Sequence, residues 1–302
     1  MKVLNLICVL FAFAACVPGG EYIVLDGAML GTTYHVVAKT ELPADAIRRS
    51  IASIDAQMKA SMSIFDESSL ISRINRSETD SLDKHLLFNI SRARRYYELS
   101  GGRYDITVKP LTDMYGFSGK DSFSAPVDSI LEFVGMNHIR ISGRRIIKDD
   151  RRVQIDLNSI AKGYTVDQIA DMLECYKIEN YVVEVGGEIR VRGLNRKGKS
   201  WSIGVDTPYE GNDMPGMSRQ GTLLMQSGAV ATSGNYRRFK YDNSNNKTVH
   251  TLNPRTGKSF SSSLLSATVV AKRCVDADAL ATMFMAMDIN EACSLGERMR
   301  DS

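Results

Sequence analysis

Apolar side chains recur at helical spacing in several stretches of the chain. Residues 43–62, PADAIRRSIASIDAQMKASM, put Ile47, Ile51, Ile54 and Met58 on one face and predict a helix. Further helices are predicted from about Asp83 to Leu99, over Pro126–Phe133, and over Ser159–Tyr176, where Ile160, Val166, Ile169, Ala170 and Leu173 form the stripe. A terminal helix carries VDADALATMFMAM, residues 275–287. Period-two alternation predicts strands over Tyr22–Ala38, broken by a turn or bulge at GAMLGTT. It predicts more in MNHIRISGRRIIKDDRRVQIDL, YVVEVGGEIRVRG, SWSIGVD, GTLLMQSGAVATSG, TVHTLNPRTG and SLLSATVVA. Residues 63–81, the GGRYDITVKPL segment, Tyr115–Ala125 and residues 207–220 read as loops, several of them punctuated by glycine and proline.

Helices and strands interleave without the short βα period of a doubly wound sheet or a barrel, and no Gly-x-Gly-x-x-Gly or Walker A sequence occurs. The expected fold is α+β (mixed α/β), with mixed sheets and packed helices in two closely joined subdomains.

The first residues follow a different pattern. A basic start at Lys2, an apolar run from Leu6 to Phe13 and small residues before Cys16 predict a secretory signal, too short to span a bilayer. FAAC resembles a bacterial lipobox, so residues 1–15 are expected to be a signal peptide and 16–21 a lipidated anchor and short linker. The folded domain is then 22–302, tethered to a membrane through lipid on Cys16. Ordinary secretion, with Cys16 a bystander, is the plainer alternative. A formal charge of +3 with scattered Lys and Arg does not point to nucleic acid. Cys175, Cys274 and Cys293 leave room for one disulfide and a free thiol, or for none, and without a CxxC a structural zinc site is not expected.

Against this background the carboxylates in VDADALATMFMAM stand out. Asp278 and Thr282 are i,i+4 on a helix, so one face presents two oxygen groups that suit a hard cation, Mg²⁺ or Ca²⁺. The plainer reading makes Asp276 a helix cap and has Thr282 bond a carbonyl of its own helix. In IDLNSIAKGYTVDQIA, residues 155–170, a strand ends at Asp156 and a helix begins near Asn158 or Ser159. That N-terminus, with Lys162 on its first turn, could receive a phosphate. A plain cap with Lys162 and Asp167 solvated is the alternative. EVGGEIRVRG reads either as a hairpin turn or as backbone lying against a ligand. His250 precedes the polar turn NPRTG and can exchange a proton near neutrality.

Taken in order, LGTTYHV (30–36), IFDESSLISRIN (64–75), GGRYDITVKPL (101–111), IDLNSIAKGYTVD (155–167), VGGEIRVRG (185–193), AVATSGNYRRF (229–239), HTLNPRTG (250–257) and DADALAT (276–282) resemble the ApbE family. Its members are FAD:protein FMN transferases, many of them periplasm-facing lipoproteins. They use Mg²⁺ and FAD as substrate to place FMN on a Thr or Ser hydroxyl, releasing AMP. Their acceptors belong to electron-transport complexes and carry D-x-x-S/T-G-A-S/T; some relatives mainly hydrolyse FAD. The resemblance implies FAD contacts at Leu30, Phe65, Tyr115, Gly116, Phe117, Asp156, Lys162 and Leu252. It implies metal contacts at Ser159, Asp278 and Thr282, a base at His250, and a place in the bacterial cell envelope. Leu30 stands at the family's usual methionine, Asn158-Ser159 at its small pair after the aspartate, and Asn253 where many relatives have aspartate.

Overall fold

The computed structural model describes residues 20–119, 123, 125–212, 216–236, 239–241, 247–259 and 263–300. The expected signal peptide and Cys16 lie outside the described residues. The chain opens with a hairpin, β1 (Glu21–Met29) and β2 (Thr32–Thr40), turning at Leu30 and Gly31, both at positive φ. Helices α1 (Ala44–Met62), α2 (Leu70–Asn75), α3 (Lys84–Leu99), α4 (Lys109–Met114) and α5 (Val127–Leu131) follow. A small hairpin, β3 (Ile139–Ser142) and β4 (Arg145–Lys148), leads into α6 (Ala161–Cys175). Next come β5 (Tyr181–Val185), β6 (Glu188–Arg192), β7 (Trp201–Asp206), β8 (Arg219–Met225) and β9 (Ser227–Gly234). The chain closes with β10 (Phe239–Tyr241), β11 (Lys247–Val249), β12 (Ser266–Ala271), α7 (Cys274–Met285) and α8 (Ile289–Arg300).

Six strands form one antiparallel sheet in the order β1-β2-β5-β6-β9-β12. On one face Leu25, Val36, Tyr181 and Val183 pack with Ile47 and Ile51 of α1 and Val166, Ile169 and Leu173 of α6. On the other face Val182 and Val191 are covered by Trp201 and Ile203 of the β7–β8 ribbon. A larger core joins α1, α2, α3, α7 and α8 through Met58, Ile71, Leu86, Ile90, Val275, Met283 and Leu295. Each such apolar side chain contributes roughly 1.5–3 kcal/mol when fully buried. The mixed helix-and-strand architecture agrees with the sequence expectation.

Several local expectations are corrected. Residues 63–81 contain α2: Ser69 accepts the Ser72 N–H as an N-cap, and Ile71 and Ile74 are buried. Six residues of helix among serines leave little periodicity to read. GGRYDITVKPL runs into α4, which tolerates Pro110 because the first turn needs no N–H there. After β4 the chain does not continue as a strand; residues 153–157 make only one bridge, between Gln154 and Val108. Helix α6 begins later than expected, with Ile160 at the N-cap position and no side-chain cap. Asn158 and Ser159 lie in a preceding turn, where the Ile160 and Ala161 N–H groups donate to the Leu157 carbonyl. Cys175 and Cys293 are exposed and Cys274 buried, and all three are free thiols.

Candidate functional site

Helix α7 crosses α6 at its first turn, and Gly163 makes that contact possible. A Cβ on Gly163 would lie 2.4 Å from the Cys274 carbonyl oxygen and 2.7 Å from Asp278 Cβ. Gly163 therefore serves helix-on-helix packing. It brings Asp278, 2% exposed, close enough for its Oδ2 to accept the Gly163 N–H at 2.9 Å. Asp278 Oδ1 faces Lys162 Nζ at 3.9 Å, beyond hydrogen-bond reach.

The crossing is fixed by Asp167, which is fully buried rather than solvated. Its carboxylate accepts the Cys274 and Val275 N–H groups at 3.1 and 3.0 Å, capping α7 from a neighbouring helix. Arg190 at 2.8 Å and Arg273 at 3.2 Å neutralise it. Asp276, the cap on the plainer reading, instead accepts from Arg92 and the Tyr96 hydroxyl of α3.

Lys162 lies on the first turn of α6, as expected, but its ammonium is already engaged. It donates to Glu188 Oε1 at 2.8 Å, and Glu188 is 4% exposed at the start of β6. Burial alone lowers an ammonium's pKa, yet the Asp278 and Glu188 carboxylates reverse that and hold Lys162 above its ordinary value. Burial raises Glu188, with Asp278 adding to the rise and Lys162 opposing it. Two buried carboxylates thus share one ammonium. Gly186 and Gly187, both at positive φ, form a two-residue hairpin turn between Val185 and Glu188.

Thr282 lies one turn beyond Asp278 and bonds Ser233 of β9 at 3.2 Å, rather than a carbonyl of its own helix. The Ser159 hydroxyl donates to Tyr104 at 2.9 Å, which leaves its oxygen lone pairs available. Asp156 is buried and accepts the Asn158 N–H, a local turn contact.

A second group of residues forms an aromatic wall. Phe117 is buried and meets the His250 ring edge-on, with centroids 6.4 Å apart and planes at 70°. The Tyr115 hydroxyl donates to the Gly257 carbonyl, so the NPRTG turn is tied to the end of α4. Gly116, at positive φ, offers its carbonyl to Lys240 at 2.7 Å, and that ammonium lies 5.3 Å from the Phe117 ring centre. Phe65 is 60% exposed, and its ring edge would lie 3.3 Å from a Cβ placed on Gly119. Leu252 is buried against Leu111, Met114 and Val134. Leu30 is half-buried in the β1–β2 turn, its N–H donating to Asp55.

The end of β9 joins the two groups. Ser233 touches Thr282, while Asn235 accepts from the Thr251 hydroxyl at 2.7 Å, between His250 and Leu252. Two residues of strand span about 7 Å. Lys162, Asp278 and Thr282 are therefore brought together on one side, and Phe65, Tyr115, Gly116, Phe117, His250 and Leu252 on the other. Glu188, Tyr104, Ser233, Asn235 and Lys240 were not singled out from sequence. For Glu188 the readable signal was a lone acidic residue directly after a paired-glycine turn.

Asp278 and Thr282 offer oxygen donors of the kind a hard cation takes, and Asp278 Oδ1, with Lys162 no nearer than 3.9 Å, suits that use. Among the described residues no three His, Cys, Asp or Glu side chains form a metal-holding group. A cation here would complete its shell with water, backbone and phosphate oxygens, as Mg²⁺ does.

Comparison with known proteins matches residues 30–302 to the ApbE family. A Vibrio cholerae FAD:protein FMN transferase is 33% identical over 303 residues, covering 95% of this chain and 88% of its own. The Haemophilus influenzae protein of the same name is 29% identical, covering 95% and 87%. The solved flavin transferase ApbE from Vibrio cholerae superposes with a TM-score of 0.83 at 31% identity, covering 93% and 92%. The Pseudomonas stutzeri flavinyl transferase ApbE, apo form, gives 0.82 at 25% identity, covering 93% and 89%.

Proposed function

The chain belongs to the ApbE family, and on that premise we propose that it is a Mg²⁺-dependent enzyme moving FMN from FAD onto a Thr or Ser hydroxyl of an acceptor protein. The observation that carries this reading is the joining of a cation corner to an aromatic wall by the few residues around Ser233 and Asn235. A dinucleotide needs both: charge for its pyrophosphate and flat apolar surface for its rings.

The acceptor oxygen attacks the FMN phosphorus of FAD, forming the phosphoester bond. The bond from that phosphorus to the bridging oxygen breaks, and AMP leaves with the electron pair. His250, held edge-on by Phe117, takes the hydroxyl proton. Lys162 balances charge on the pyrophosphate from the first turn of α6. Asp278 and Thr282, with Ser159, would hold the divalent cation, which would supply charge neutralisation at the pyrophosphate as AMP departs. Phe65, Tyr115, Gly116, Phe117, Leu252 and Leu30 border the rings, and Asp156 lies beside the turn that opens α6. The acceptors are electron-transport proteins carrying D-x-x-S/T-G-A-S/T. Lipid on Cys16 anchors the enzyme to a membrane of the bacterial envelope, facing the periplasm. None of the described helices is long and apolar enough to cross a membrane.

The test is an intact-mass assay of the chain begun after Cys16, with FAD and an acceptor carrying that motif. An acceptor heavier by one FMN, with AMP released only when Mg²⁺ is present, is expected. FMN and AMP appearing together without any adduct would overturn transfer in favour of FAD hydrolysis.

A further inference from the structure

Glu188 has no role in the chemistry above, yet it is the least accommodated group in the site. It is 4% exposed, its Oε1 accepts from Lys162, and its Oε2 has no hydrogen-bond partner among the described residues. A buried carboxylate left half-satisfied is costly, so its presence calls for a compensating use. The local backbone is shaped around the contact. A Cβ on Gly186 would press against Thr32 at 2.8 Å and sit 3.4 Å from Lys162 Cδ. The glycine turn lets the lysine stem run past it to the carboxylate beyond.

The result is an asymmetric sharing of one ammonium between two carboxylates, 2.8 Å from Glu188 and 3.9 Å from Asp278. We propose that Glu188 is a positioning residue: it draws Lys162 toward β6 and so leaves Asp278 Oδ1 open to a divalent cation. This rests on the metal reading of Asp278 and Thr282. With Glu188 neutralised, Lys162 needs only a small rotation of its flexible stem to close on Asp278. It then competes with the cation for the same oxygen. Glu188 thus acts on the metal through Lys162, and is not itself a ligand.

A double-mutant cycle separates these roles. Mn²⁺ binding to the FAD-free chain, followed by the electron-spin signal of free Mn²⁺, is measured for wild type, Glu188→Gln, Lys162→Met and the double variant, with Asp278→Ala as the blank. Glu188→Gln is expected to weaken Mn²⁺ binding about tenfold in the wild-type background but less than about threefold in Lys162→Met. An equal loss in both backgrounds would show that Glu188 meets the cation directly, and no loss in either would show that it does nothing for it; both overturn the proposal. If Glu188→Gln does not fold, Glu188→Asp replaces it, with a smaller loss that again disappears in Lys162→Met. Wild type and Asp278→Ala binding Mn²⁺ alike, or neither binding it, would overturn the metal reading itself. That failure is visible before the cycle is compared.

Discussion

Glu188 and Asp278 sit in the packing of α6, α7 and β6, 4% and 2% exposed, with their partners fixed by helix and strand geometry. Phe65 is 60% exposed, and His250 belongs to a loop whose neighbours, Phe117 and Tyr115, come from a distant part of the chain. The charged corner is held like a core and the aromatic wall like a set of docked loops. Charge that must balance a pyrophosphate gains from low dielectric and fixed geometry. Rings that admit a large substrate gain from adjustable walls.

Substitutions should then behave differently in the two halves. Asp278→Ala is expected to lower FMN transfer on the order of 10³-fold and abolish its response to Mg²⁺. Full Mg²⁺-dependent transfer by that variant would break the distinction at its strongest point. Asp167→Ala uncaps α7 and leaves Arg190 and Arg273 without their buried partner, which should cost about 3–5 kcal/mol in urea unfolding. A loss below about 1 kcal/mol would mean that the α6–α7 crossing is held by apolar packing alone. On the looser side, Phe65→Ala should weaken FAD binding about tenfold while leaving unfolding within about 0.5 kcal/mol of wild type. Fluorescence titration and a urea melt would show both.

The smallest effect concerns pH and the packed half. His85 is buried, its Nδ1 2.9 Å from the Tyr164 hydroxyl of α6, and burial holds its pKa below the ordinary value. The unfolded chain therefore takes up the proton more readily than the folded one. Stability should fall as pH drops below about 6.5 toward the folded value. His85→Gln is expected to narrow the Tm difference between about pH 7.5 and about pH 5.5.

What the chain revealed in advance follows the same division. Asp278 and Thr282 were legible because a helix turns i,i+4 into a shared face, and Lys162 because it stands at a helix start. The swap between Asp167 and Asp276 was not legible. The plainer readings made Asp276 the cap and left Asp167 in solvent, whereas the α6 carboxylate reaches across to the N–H groups of α7. Capping between helices leaves no mark along either one. The contact of Phe117 with His250, and the bridge made by Ser233 and Asn235, depend on loops meeting in space. For Phe117 and His250 the ordered family motifs gave the residues but not the geometry, and Ser233 and Asn235 were not singled out at all. Helix α2 was missed because its two buried isoleucines are too few to set a period.

The most direct measurement is a crystal structure of the catalytically blocked His250→Ala chain with FAD and Mg²⁺. One FAD molecule is expected to span both halves, its pyrophosphate at Lys162 and the Asp278–Thr282 face and its ring systems against Phe65 and Phe117. FAD lodged against one half alone, with the other touching no part of it, would contradict the reading of the two as a single site.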